Sequence, residues 1–424
     1  MAIKPVSASG GSNLTGIAQY NERLILQLIR RSGNLTKAEI TRLTNLSAQT
    51  ASVIINRLID EALLYKQERR YETGKVGQPA VPIALNPEGA YSIGVKIGRR
   101  SLDIVLIDFI GTILKRMTHA YSYPDPNFIF PHIHQAIDQL TRALTARQLT
   151  RLKGIGVAAP YGLGGWQQET ATPSNITQSW NSIDIRHTIQ QDQPYPVWLV
   201  NDATAACIAS LELGNPHKFD NYLHIFVGTF IGGGLIMNHT LYTGCFNNAG
   251  AIGSMPLPAD YAADPQRTGK TVQLINCASL YLLDRSLQTL GTSTEQVWQL
   301  LLKERALDKR IEQVLSAWIN QSAHAIAYAI TATISVIDLE GVIIDGSLPA
   351  TVAQQLTEAV QAALLHHNTE GLILPNLVAG DIGNDARALG GAFLPFYTNF
   401  APERSLLISS ASNSFDHFNT ASIV

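Results

Sequence analysis

Cysteine is scarce in this chain of 424 residues: Cys207, Cys245 and Cys277 stand far apart, and none shares C-x-x-C spacing with another. That argues against a disulfide framework and fits reduced thiols in a cytoplasmic setting. No apolar run reaches the length of a membrane span, and no signal-peptide core follows Met1, so neither anchoring nor export is expected. Charge is sparse too. Only 15% of residues are charged and the net charge is −2, so any nucleic-acid surface must be local. No internal repeat or coiled-coil heptad run is evident.

What is present is apolar mass, 46% of the residues, in a length that predicts two or three domains with a large core. Residues 1–20, with their S-A-S-G-G-S-N run, read as a mobile arm, and the Ser/Asn-rich tail from 397 to 424 reads as loose. Between Asn21 and Arg31 the pattern places Leu24, Ile25, Leu28 and Ile29 on one helical face, with Gly33 as its stop. Thr36 and Glu39 form a capping box, with Leu35 and Ile40 as its hydrophobic staple. Ser47 opens a further helix, whose buried stripe is Ala51, Ile54, Ile55, Leu58 and Ile59. Gln49, Thr50, Ser52, Val53 and Asn56 are left outward near its N-terminus, where small polar groups suit base edges and phosphates. Two short strands then flank a basic, Gly-rich turn holding Arg69, Arg70 and Lys75, with Pro82 marking an edge strand.

Residues 20–76 hold ten lysines and arginines against six acidic residues, a local surplus of four in a slightly acidic chain. Caps, helix spacing and basic turn together predict a winged helix-turn-helix over 21–86 that binds DNA. The expected contacts are Thr36, Lys37, Ser47, Gln49, Thr50, Ser52, Asn56 and Arg57, with Arg69, Arg70 and Lys75 in the wing. The competing reading is a three-helix protein-interaction module with a solvated basic face.

The rest is organised around Val197–Ser254. An apolar strand, Val197–Val200, ends on Asn201-Asp202 and an Ala-rich helix follows. A second strand, Tyr222–Val227, ends on Gly228-Thr229, then Phe230 and Gly232-Gly233-Gly234. Carboxylates and glycines just past strand ends build sites in α/β sheets, because the backbone there opens toward a crevice. An Asp at such a place can accept a hydroxyl proton, and a Gly-Thr turn can bring backbone N–H groups near a phosphate.

This order resembles the ROK family (repressors, open reading frames and sugar kinases), from about Asn21 to about Pro395. Gly77-Gln78-Pro79 is similar to a G-x-P near the wing of ROK repressors, and Lys153–Pro160 to the family's G-I-G-x-A-x-P-G strand, with Tyr161 where glycine is usual. The resemblance implies an α/β fold: the winged head followed by a two-lobed actin-like ATPase (sugar-kinase, ribonuclease H-like) body. The lobes would span 87–199, with a return helix 382–396, and 200–381. It also implies that Asp202 stands where a kinase keeps its base, with Asn175 and Asn201 on the sugar side.

Several departures from the family pattern argue against catalysis. Lys96-Ile97-Gly98-Arg99-Arg100 stands where active members have D-x-G-G-T, so a cation that could meet a phosphate replaces the Asp that organises Mg²⁺. Phe230 takes a phosphate-turn glycine. Ala251 and Ser254 occupy the Glu and His of A-G-E-x-G-H, Ile275 falls on a second sugar-binding Glu, and the zinc loop's cysteines are missing, with Cys277 alone. A structural zinc needs four donors, so no metal and no cofactor is expected, and Cys277 reads as a small buried residue. The implied protein is a non-enzymatic transcriptional regulator, in kind a repressor, of sugar or sugar-derivative metabolism genes. Its partners would be an inverted-repeat operator and a small sugar-derived effector held by Asn175, Asn201, Asp202, Ala251 and Ser254. It would be a homodimer or homotetramer. A sugar kinase that phosphorylates hexoses from ATP, and a regulator whose body only dimerises, are the alternatives.

Overall fold

Three helices and a two-stranded ribbon make the head. The computed structural model describes residues 14–68, 81–163, 172–215, 217–261 and 271–402. Helix α1 (Leu14–Ser32) is followed by α2 (Lys37–Thr44) and α3 (Ala48–Asp60), and β1 (Leu64–Lys66) pairs antiparallel with β2 (Ile83–Leu85). Gly33, at φ 79°, releases the chain from α1. The Thr36–Glu39 capping box is present in both directions, and the Ser47 hydroxyl accepts the Thr50 amide. Ile25, Ile29, Ile40, Ala51, Ile55 and Leu58 close the small core.

Two expectations shift here. The arm expected over 1–20 is helical from Leu14, because no proline interrupts the turns leading into the amphipathic segment. On α1 the side chain that goes fully inside beside Ile25 and Ile29 is Leu26, whereas Leu24 is half-buried. A lone three-helix unit would have one apolar stripe; α1 has a second neighbour, the body of the protein. The wing positions Arg69, Arg70 and Lys75 lie outside the described residues.

The body contains two mixed sheets. In the first, β3 (Tyr91–Ile97), β4 (Ser101–Asp108), β5 (Ile113–Ala120), β6 (Leu152–Ala159) and β7 (Val197–Asn201) run in the order β5-β4-β3-β6-β7, with β3, β6 and β7 parallel. Helix α4 (Pro126–Arg142) and the short α5 (Ser174–Trp180) belong to this half. In the second, β8 (Tyr222–Val227), β9 (Ile231–Met237), β10 (Thr240–Tyr242), β13 (Gly341–Gly346) and β14 (Asn376–Ala379) run β10-β9-β8-β13-β14, with β8, β13 and β14 parallel. A small ribbon, β11 (Pro256–Leu257) with β12 (Val272–Gln273), lies beside it, and α7 (Lys309–Ile334) and α8 (Ala350–Leu364) pack on it. The last strand begins at Asn376, where its parallel pairing with Gly341 starts.

Two further helices lie between the sheets. Helix α6 (Asp202–Leu213) starts where β7 ends, and α9 (Ala386–Phe400) returns from the second sheet to the first. They meet backbone to backbone: a Cβ at Gly390 would lie 1.6 Å from the Ala205 carbonyl oxygen. Only glycine fits there. The glycines of β9 serve the same packing, because Gly232 sits against Ala203 and Gly234 against Cys207, both on α6. The loose tail expected from 397 does not hold at its first residues. Tyr397 is buried, its hydroxyl accepts the Leu241 amide at 3.0 Å, and Phe400 packs edge-on to Phe109, which keeps α9 helical to Phe400.

The head docks on these two helices through buried charge. Arg30 of α1 pairs with Glu212 near the end of α6 at 3.1 Å, the side chains being 7% and 3% exposed. Its Nη1 donates to the Phe109 carbonyl at 2.8 Å, and its guanidinium lies over the Phe109 and Phe393 rings. Gln27 donates to the other Glu212 oxygen at 3.2 Å. Arg23 reaches the carbonyls of Thr398, in the last turn of α9, and Ala401, just past its end.

Candidate functional site

A cavity of about 190 Å³ opens between the two sheets. It lies beyond the carboxyl ends of β3, β6, β7 and β8, where the chain leaves each strand for a loop or helix. Arg99, Tyr161, Asn201, Asp202, Thr229, Phe230, Ala251, Ser254, Ile275 and Arg387 are among its lining residues. Four of the five ligand positions expected from the sequence therefore share one wall system: Asn201, Asp202, Ala251 and Ser254. Asn175 does not join them. It is exposed on the first turn of α5, away from the lining, because its segment packs through Trp180 onto the first sheet's core.

Asn201 and Asp202 divide the work at the helix start. Asn201 is the N-cap, its side-chain oxygen accepting the Ala203 amide at 3.0 Å. Asp202 is left to face the cavity, 19% exposed, with Arg387 Nη1 3.5 Å from its Oδ2. The turn Gly228–Phe230 is pinned from behind: Leu280 and Tyr281 amides donate to the Gly228 and Thr229 carbonyls, and the Ser279 hydroxyl accepts the Ile231 amide. Phe230 presents its ring to the Arg99 guanidinium, 4.7 Å away, and to Tyr281.

Lys96 is not available to a phosphate as the sequence suggested. Its ammonium is 2.7 Å from both Asp103 Oδ2 and Ser101 Oγ, and the residue is 4% exposed. Lys96 and Asp103 are cross-strand partners on β3 and β4, so sheet register makes the ion pair. Burial first, then the like charge of Arg387, pull the Lys96 ammonium down to about 8. Burial pushes the Asp103 carboxyl up, but Lys96, Ser101 and Thr118 outweigh it and hold the group below its ordinary value.

Sequence reasoning missed Arg387. The segment D-A-R-A-L-G-G-A-F reads as a helix of small residues, and its single arginine was the available signal. Arg387 is 9% exposed, stacks over Phe226 at 5.0 Å and donates to Ser347 Oγ at 3.1 Å. Arg99 was read only as part of a broken loop, yet it too lines the cavity.

On the head, the Ser47 cap, Gln49 and Thr50 are exposed at the N-terminal end of α3, and Asn56 is exposed further along it. Lys37 of α2 crosses to this helix, donating to Ser52 Oγ and Asn56 Oδ1, each at 3.0 Å. The Thr36 hydroxyl is engaged by Glu39. Arg57 pairs with Glu22 of α1, so this expected DNA contact is already held within the head. Among the described residues no group of three or more His, Cys, Asp or Glu is placed to hold a metal ion. Among them also, no helix is long and apolar enough to cross a membrane.

Known proteins share this arrangement. A MarR-family model matches residues 13–71 and a ROK-family model residues 92–396. The xylose repressor of Bacillus subtilis is 27% identical over 247 residues, 57% of this chain and 62% of the repressor, so less than two thirds of that relative is matched. A ROK-family transcriptional regulator, described as a homologue of the Escherichia coli Mlc protein, superposes with a TM-score of 0.62 at 19% identity. That match covers 91% of this chain and 98% of the regulator. A ROK-family glucokinase from Streptomyces griseus, solved with glucose and AMPPNP, gives 0.53 at 20% identity, over 72% and 99%. The fold is thus α/β, a winged-helix head on an actin- and hexokinase-like body. With the larger model matched across most of the body, the chain belongs to the ROK family.

Proposed function

We propose that this protein is a DNA-binding transcriptional regulator, a repressor in kind, of sugar or sugar-derivative metabolism genes, whose kinase-like body senses a ligand without turning it over. The observation that carries this reading is the pair α6 and α9. Each has a cavity residue at its N-terminal end, Asp202 and Arg387, and a head contact at its C-terminal end, through Glu212 and the carbonyls of Thr398 and Ala401. At 1.5 Å per residue these helices carry contacts over roughly 18 to 22 Å. Their close backbone packing favours movement as one body.

A ligand that binds one arrangement of the lobes better than another then shifts the population of head positions. In a homodimer this changes the separation of two α3 helices on an inverted repeat. The Lys96–Asp103 pair and the aromatic ring of Phe230 support the absence of turnover, because Lys96 stands in place of a metal-holding carboxylate and ties up Asp103, and the Phe230 ring occupies the phosphate turn. Selection from random duplexes with the full-length protein, followed by mobility shifts, tests the proposal. An inverted repeat should be enriched, and Asp202→Ala should bind it normally while losing the response to the effector. Recovery of no preferred duplex at low salt would make the head a protein-interaction module.

A further inference from the structure

We infer that the cavity takes an anionic polyol, a sugar-sized molecule bearing one carboxylate or phosphate group, whose oxyanion is received by Arg387, with Arg99 as a second cation on the lining. This rests on reading the cavity as the ligand site. Among the described residues that line it, one carboxylate, Asp202, faces two guanidiniums. The remaining walls are neutral, including Ala251, Ser254 and Ile275.

Arg387 is buried but poorly paired. Charge-assisted N–H···O contacts close to about 2.7–2.9 Å, whereas Arg387 stands 3.5 Å from Asp202. Arg116 shows what a closed pair looks like in the same molecule, its two nitrogens lying 2.7 and 2.6 Å from Asp385. Arg387 Nε has no hydrogen-bond partner among the described residues, and its Nη2 meets only the neutral Ser347 hydroxyl. A buried cation with donors to spare is costly, and a bound oxyanion relieves that cost where a neutral hydroxyl does so only weakly. Lys96 reports the same excess from behind the wall, its ammonium being pulled down by burial and then by Arg387. The sugar hydroxyls fall to Asn201 and Asp202, and the acidic group to the arginines.

Titration calorimetry on the full-length protein tests this with three probes: glucose, glucuronate and glucose 6-phosphate. At least one anionic probe should bind more tightly than glucose, and which one does separates carboxylate from phosphate. Arg387→Gln should weaken that probe by about tenfold to a hundredfold, the usual span for a lost charged hydrogen bond, and leave glucose little changed. Asp202→Asn should move the anion-to-glucose affinity ratio the other way, a gain that misfolding cannot imitate. The inference is overturned if glucose binds as tightly as both anions, if no anionic probe binds at millimolar concentration, or if neither substitution moves the ratio. An anion that binds as described but leaves DNA affinity unchanged would sink the sensing reading and keep this one. Release of DNA by glucose alone would do the reverse.

Discussion

Glu212→Gln tests the link between head and body with a change of charge at constant shape. Glu212 and Arg30 are both almost fully enclosed, and burial pushes the carboxyl above its ordinary range and the guanidinium below its own. Removing one partner of such a pair costs about 3–5 kcal/mol, because the other charge stays buried. Here Arg30 keeps the Phe109 carbonyl at 2.8 Å and two aromatic faces, which places the expected loss near ~3 kcal/mol. Replacing both residues by methionine removes both desolvation penalties and should recover most of that loss. The assay is urea unfolding of the parent, Glu212→Gln and the double methionine variant, read by circular dichroism and by fluorescence. A head that has come loose should melt as a separate first transition, since multidomain chains need not unfold in one step. The same variants are then titrated with operator DNA with and without effector, and Glu212→Gln should bind DNA with a blunted response. Stability of Glu212→Gln within about 0.5 kcal/mol of the parent, the range of ordinary surface changes, would refute the buried-pair reasoning. An unchanged effector response would refute the relay.

Other outcomes follow from the body and the head. Lys96 in the folded chain titrates at about 8 instead of 10.5, so the unfolded chain holds more protons between those values and stability should rise with pH across that window. The gap corresponds to at most about 3 kcal/mol, and denaturation at pH 7.5 and 10 should show a smaller rise in Lys96→Met than in the parent. A coupled assay with ATP and hexoses should give no phosphotransfer, and turnover above roughly 1 s⁻¹ would restore the kinase alternative. Gln49→Ala should relax preference at particular base pairs by ~1–3 kcal/mol. Arg70→Ala should weaken all duplexes alike and flatten the salt slope by about one unit, and equal behaviour of the two variants would remove α3 from the groove.

The sequence alone determined the elements and their order. Caps such as Thr36 with Glu39 and Ser47, and the period of Ala51, Ile54, Ile55 and Leu58, are local signals, so the head could be read before folding. The strand ends at Asn201 and Gly228 were legible for the same reason, and Asn201 and Thr229, the residue after Gly228, do border the cavity. Tertiary structure decided what these residues meet. Lys96 looked free to bind a phosphate until pairing of β3 with β4 set Asp103 beside it. Asn175 lost its place because α5 packs by Trp180, which no local pattern fixes. Arg387 and Asp202 are 185 positions apart, and only the close packing of α9 on α6 at Gly390 brings their charges to one wall. Sequence periodicity encodes which face of an element is buried, but partners across such a distance are chosen by how the finished elements pack.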